Sequence, residues 1–252
     1  MDIALLVLAA AAAGWVDAVV GGGGLVMIPA LLIGFPNLAP ATALGTNKLA
    51  AVVGTASAAV AYSRRVSLDF RRLAPVFCSA VVFAGLGAYV AGRLPTQVFT
   101  PIVLCLLVAV GLFVALNPGF GSATVTSVSR TSVIAGLVLA GVVIAFYDGV
   151  MGPGTGTFLI IVLTAFVGTG FLESSAQAKV INCGTNLGAL AVFATQGHVL
   201  WLLGLGLAVA NVIGAQLGTR MALGRGSAFV RWVLLGVVVV MVAKLGYDVV
   251  SG

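Results

Sequence analysis

Two aspartates and two lysines stand inside sequence that is otherwise apolar enough for lipid, and they do so in a pattern that occurs twice. Asp17 is followed by Gly21 to Gly24 and then by Lys48; Asp148 is followed by Gly152, Gly154 and Gly156 and then by Lys179. Each aspartate precedes its lysine by 31 positions. A charge at a bilayer centre costs at least ~2.5–3.5 kcal/mol, so such residues face protein or a water-filled cavity and mark pathways for polar solutes. Any fold for this chain has to take these four charges out of contact with lipid.

The surrounding sequence offers no alternative to a membrane. Of 252 residues, 61% are hydrophobic and 7% charged, where a soluble domain needs about a quarter charged. Mean hydropathy is +1.23. An all-α integral membrane protein follows, one transmembrane domain over residues 1–252 with the lipid bilayer as a partner. The net charge of +6 comes largely from arginines in short loops, where they set topology, so nucleic acid is not an expected partner. Cys78, Cys105 and Cys183 show neither disulfide nor metal spacing. No cofactor or metal is expected. The one histidine, His198, falls in a loop and the carboxylates do not cluster, which argues against an enzyme.

A shift of 131 residues superimposes the halves without a gap. Ile3-Ala4 and Leu6 to Ala9 fall on Ile134-Ala135 and Leu137 to Ala140; Asp17, Phe35, Lys48 and Gly87 fall on Asp148, Phe166, Lys179 and Gly218. Two tandem repeats are therefore expected, 1–117 and 132–252, joined by a polar linker, 118–131. Each holds about five helical segments, giving 8–10 spans. In the first repeat these are 2–20, a short 25–35, then 41–62, 73–92 and 98–116. Glycine weakens a helix by ~1 kcal/mol per residue, so Gly21 to Gly24 should break the first of them. In the second repeat the short segment is 157–171, and loops are expected at Gln196-Gly-His198 and Gly224 to Ser227.

An 11-residue helix covers only ~17 Å, about half the hydrocarbon core. The short segments therefore either re-enter, leaving four crossings per half, or cross, making five. Four would place Arg64, Arg65, Arg71, Arg72 and Arg130 opposite Arg93, Arg220, Arg225 and Arg231. Five leave only Arg93 opposite the rest, which fits the positive-inside rule. The halves are thus expected to be inverted, with both termini outside the cytoplasm.

Inverted repeats with broken helices are how many secondary transporters build a midplane site. Helix N-termini and lysines there favour an anion. Lys48 and Lys179 are the charge-bearing candidates, with Thr46 and Asn47 beside Lys48 and the backbone of Gly22, Gly23 and Gly154 at the breaks. Lys179, Asn182, Cys183 and Asn186 share one helical face, so Asn182 and Asn186 are candidates for orienting a substrate. Asp17 and Asp148 are candidates for ion pairing, Asp17 with Lys48 and Asp148 with Lys179, or for carrying a coupling proton. The alternative for each is structural: ion pairs that lock the broken helices, and asparagines that bond helix to helix.

The run Gly14-Trp-Val-Asp17 through Pro29, with Ala43-Leu-Gly-Thr-Asn-Lys48, resembles the TauE/SafE sulfite exporter family. Asp148 to Gly156 and Ala178-Lys179-x-x-Asn182-x-x-x-Asn186 are similar to that family's second half. The resemblance spans essentially the whole chain. It implies a prokaryotic inner-membrane transporter that exports sulfite or an organosulfonate such as sulfoacetate, without fixing which sulfur anion. An anion channel, or a carrier for another small anion, is the alternative. Oligomeric state is not indicated.

Overall fold

Two glycines in the left-handed region set where the chain turns. The computed structural model describes residues 3–91 and 128–251. Its elements are α1 (Ile3–Val20), α2 (Gly24–Gly34), α3 (Pro40–Ser63), α4 (Phe70–Ala91), α5 (Arg130–Val150), α6 (Thr155–Val167), α7 (Phe171–Thr195) and α8 (Trp201–Ser251). α1 stops at Gly21, φ 81°, and α5 stops at Gly152, φ 86°. A side chain disfavours that conformation, and glycine does not. Helix starts at Gly24, Pro40 and Phe70 recur at Thr155, Phe171 and Trp201, 131 residues on each time. The segment 98–116, Arg93, Cys105 and linker residues 118–127 lie outside the described residues.

Local chemistry accounts for the boundaries. Pro40 opens α3, where its missing N–H has no helical partner to lose. Asp69 accepts from the N–H groups of Arg71 and Arg72, at 3.1 and 3.3 Å, and so caps the start of α4. Ser129 accepts from the Ser132 N–H at the start of α5. The loop expected at Gly224 to Ser227 is corrected: the chain stays helical there except at Gly226, φ 73° and ψ −168°. One glycine kinks the backbone, and helix resumes on its far side.

The direction of each helix can be read from what it touches. Leu49, Gly54 and Ser57 meet Gly204, Asn211 and Gln216, so α3 and α8 run the same way. α1 joins them, with Ala11 and Trp15 against Gly214 and Trp15 and Ala18 against Gly218. Phe77, Val81 and Gly85 meet Gly184, Gly188 and Val192, and Val76 and Ala84 meet Gly141 and Gly149, so α4, α5 and α7 are parallel to one another. Between the two groups the sense reverses: Gly45 meets Phe193 while Thr55 meets Asn186, so α3 and α7 are antiparallel. Gly23 lies against Ala13 and Asp17, so the chain doubles back after α1 and α2 returns alongside it.

These directions gather the loop cations. Arg64 and Arg65 lie between α3 and α4, Arg71 and Arg72 in the first turn of α4, and Arg130 starts α5, which is parallel to α4. Arg220 and Arg225 lie beyond Gln216, whose side chain reaches the Ser57 carbonyl, and so point toward the same end. Among the described side chains no lysine or arginine sits at the other end.

α1, α4, α5 and the Trp201–Gly226 part of α8 are long and apolar enough to cross a membrane. α3 and α7, of 24 and 25 residues, carry most of the buried polar side chains. The other four pack around this pair through glycine faces. A Cβ built on Gly149 would lie 2.0 Å from the Ala84 carbonyl oxygen, so α4 and α5 meet backbone to backbone. Two neighbouring glycines of α8 differ: Gly204 packs on Leu49, while Gly206 has no atom within 4 Å of a built Cβ. Gly149→Ala should therefore lower thermal stability by about 1–3 kcal/mol, and Gly206→Ala should leave it unchanged or raise it. Thermal denaturation of the two variants in detergent checks this.

Candidate functional site

The four charges, three of them buried and Asp17 partly so, meet between α3 and α7, about halfway along both. Lys48 Nζ donates to Asp148 Oδ2 at 2.6 Å, and each side chain is 2% exposed. Lys179 Nζ, fully buried, lies 3.6 Å from Asp17 Oδ2 and donates to the Asp17 backbone carbonyl. Each lysine thus takes a carboxylate from the other half of the chain. This corrects the expected pairs Asp17–Lys48 and Asp148–Lys179. The reason is height. Thr55 Oγ1 donates to Asp17 Oδ2 at 3.1 Å, and Lys48 lies seven residues earlier on α3, roughly 10 Å of helix away. Because α7 runs antiparallel to α3, it brings Lys179 to Asp17.

Hydroxyls complete the carboxylates' shells. Thr155 Oγ1, at the start of α6, donates to Asp148 Oδ1 at 2.6 Å. Asn186 Nδ2 lies 3.4 Å from Thr55 Oγ1, so two positions 131 residues apart touch each other. A buried ion pair stays charged only where such bonds offset the desolvation of both ions, and removing one partner typically costs 3–5 kcal/mol.

The pairs border a small polar cavity. Asp17, Asp148 and Lys48 line it, with the amides of Asn47, Asn182, Asn186 and Asn211 and the glycine backbone of both breaks. Its volume is about 20 Å³, space on the scale of a water molecule. An oxyanion of several heavy atoms fits only after the walls move.

The structure sorts the candidates. Asn47, Asn182, Asn186 and Gly23 line the cavity with Lys48 and the aspartates, while Lys179, Thr46, Gly22 and Gly154 do not. Lys179 stands behind Asp17. Thr46 Oγ1 accepts from the Leu200 N–H at 3.1 Å, which ties α3 to the start of α8. Gly154, φ 80°, is the residue that opens α6. Cys183, on the expected polar face, is half-buried and unpaired.

Asn211 is the lining residue that sequence reasoning missed. Position 80, its counterpart at the 131-residue offset, is alanine, so the repeat gave no signal; an asparagine in an apolar helix was the only one. Its Nδ2 donates to the Ala10 carbonyl at 3.2 Å. Gly54 makes room for its Oδ1, which a Cβ at that position would approach to 1.8 Å.

Crossed pairing has a direct test. Lys48→Met should destabilise by about 3–5 kcal/mol because it strands Asp148. Adding Asp148→Asn should restore part of that loss, and adding Asp17→Asn should restore none. Thermal unfolding of the three variants distinguishes crossed pairs from pairs within each half.

Comparison with known proteins bears on what this site serves. The sequence model of a protein family described as Sulfite exporter TauE/SafE matches residues 6–245. A probable membrane transporter protein, ORF9, of Sinorhizobium sp is 36% identical over 98% of this chain and 93% of its own length. The probable membrane transporter protein YfcA of Escherichia coli K12 is 35% identical over 98% of this chain and 90% of its own. One from Haemophilus influenzae is 32% identical over 98% and 95%. No solved structure matches the chain.

Proposed function

The chain belongs to the sulfite exporter TauE/SafE family, and from that membership and the neutralised cavity between α3 and α7 we propose that it is a secondary transporter exporting a small sulfur-containing anion, sulfite or an organosulfonate, across a prokaryotic inner membrane. The observation that carries this reading is a polar cavity at mid-helix lined by Lys48, Asp17 and Asp148, with Lys179 behind Asp17 and each lysine paired across the halves. The pattern supports a carrier rather than a catalyst, since the aspartates are committed to lysines and threonines.

α1 and α5, α3 and α7, and α4 and α8 correspond at the 131-residue offset, and in each couple the two run in opposite directions. That is the arrangement a two-fold axis in the membrane plane produces, and rocking of inverted repeats about such a site is a route to alternating access. The crossed pairs link the repeats, so exchanging a carboxylate for a substrate oxyanion on a lysine loosens one repeat from the other. Charge balance adds a proton to the scheme. Two ammoniums and two carboxylates leave the empty site neutral; a singly charged anion with one proton on Asp148 or Asp17 leaves the loaded site neutral as well, and a doubly charged anion does so with a proton on each. Burying net charge is what both states avoid. The arginine-bearing end is the cytoplasmic end on the positive-inside rule, which puts the N-terminus of α1 outside.

Flux of sulfite, thiosulfate, sulfoacetate and sulfate in proteoliposomes tests the proposal. Wild type should show saturable flux of at least one sulfur anion that responds to a pH gradient, and Lys48→Met and Lys179→Met should abolish it. Non-saturating flux would indicate a channel, and flux that survives both substitutions would move the site elsewhere. Orientation is checked separately. A single cysteine placed at Ser67 should be labelled by a membrane-impermeant thiol reagent only from the cytoplasmic side, and one at Gln196 only from the outside.

A further inference from the structure

The two glycine breaks correspond in sequence but not in what meets them. At the start of α6, the Gly156 N–H donates to the Gly21 carbonyl at 3.1 Å, and Thr157 Oγ1 donates to the Val20 carbonyl at 2.7 Å. The end of α1 therefore closes off the start of α6. Thr155 fills the remaining space there and bonds Asp148. The residue 131 positions before Thr155 is Gly24, which has no side chain. At the start of α2 no side chain caps the helix, and among the described residues no acceptor meets the N–H groups of Gly23 or Gly24. Both residues line the cavity.

A second observation points the same way. Asn47 is 5% exposed, lines the cavity, and its amide has no hydrogen-bond partner among the described residues. Its Nδ2 lies 3.6 Å from where a Cβ on Gly24 would stand, beside the open helix start. A buried amide is ordinarily hydrogen-bonded, and an uncapped helix N-terminus presents unpaired donors and partial positive charge. The N–H groups of Gly23 and Gly24 and the Asn47 amide converge there, with Lys48 next in the same wall, while the Asp17 and Asp148 carboxylates that also line the cavity are held by Thr55 and Lys179 and by Lys48 and Thr155.

We propose that the substrate's oxyanion head is bound on one side only, by the N–H groups of Gly23 and Gly24 at the start of α2 together with the Asn47 amide and Lys48, while the equivalent start of α6 is a structural joint between the repeats. This rests on the anion-transport reading above and deepens it by locating the anion. The ligand class is a small oxyanion group, sulfite or the sulfonate end of a larger acid. One-sided binding leaves Asn182, Asn186 and Asn211, the other amides of the cavity lining, to contact the rest of the molecule.

The test is equilibrium binding of sodium sulfite and of sodium sulfoacetate to the purified full-length protein in detergent, with thermal stability measured in parallel. Gly24→Ala is the discriminating variant. Its methyl would stand 3.5–3.9 Å from its neighbours, so it fits the empty protein, and alanine favours the helix. The melting temperature should hold or rise while Kd rises at least tenfold. Asn47→Ala should raise Kd at least fivefold. Thr157→Val, at the start of α6, should lower the melting temperature and leave Kd within twofold. Wild-type Kd in either Gly24→Ala or Asn47→Ala would overturn the subsite, as would an equal loss of affinity in Thr157→Val. Wild type that binds neither probe would overturn the anion reading along with the subsite.

Discussion

Everything in this structure follows from having to hold four charges at membrane depth. Neither lysine is solvated, neither aspartate can be left alone, and the solution found is to pair each lysine with the opposite half's aspartate. That choice dictates the layout around it. α3 and α7 must be antiparallel and adjacent for the pairs to cross, and the helices that carry the aspartates must end near their middle. Gly21 and Gly152 supply those endings. The apolar helices then wrap the charged pair, using glycine faces close enough for backbone to touch backbone, as expected where packing rather than hydrophobic exclusion holds helices together.

Much of this was legible beforehand, for identifiable reasons. Charged residues are so rare here that aligned Asp17/Asp148 and Lys48/Lys179 stood out from any apolar background, and glycine runs mark breaks because glycine is a poor helix former. Helix starts fell within a few residues of expectation for the same reason. Which aspartate meets which lysine was not legible, because it depends on the relative height and direction of helices far apart in sequence. The sequence separation of 31 between Asp17 and Lys48 suggested a local pair; Thr55 occupies that place instead.

Other misses have a common origin in backbone groups, which leave no trace in residue types. Thr46 looked like a substrate donor, yet its hydroxyl serves the Leu200 N–H. Gly154 looked equivalent to Gly23, yet the carbonyls of Val20 and Gly21 occupy the helix start that follows it. Asn211 has alanine at the matching position, so a symmetry argument passed over it. Departures from symmetry concentrate at the cavity, whereas the starts of α2, α3 and α4 recur in α6, α7 and α8 at one common offset.

The contact between Asn186 and Thr55 carries a further consequence. On the inverted-repeat reading proposed above, two positions related by the offset touch only where they lie on the axis that relates the halves. In a pair of identical half-length chains, that contact would join a side chain to its own copy, and each such chain would have to insert in the membrane both ways up. A donor amide against an acceptor hydroxyl is closed to a pair of identical chains and open to halves whose sequences differ, as they do here. Joining the halves fixes one orientation for each and lets the residues on the axis become unlike, so a pocket built by symmetry can hold a molecule that has none.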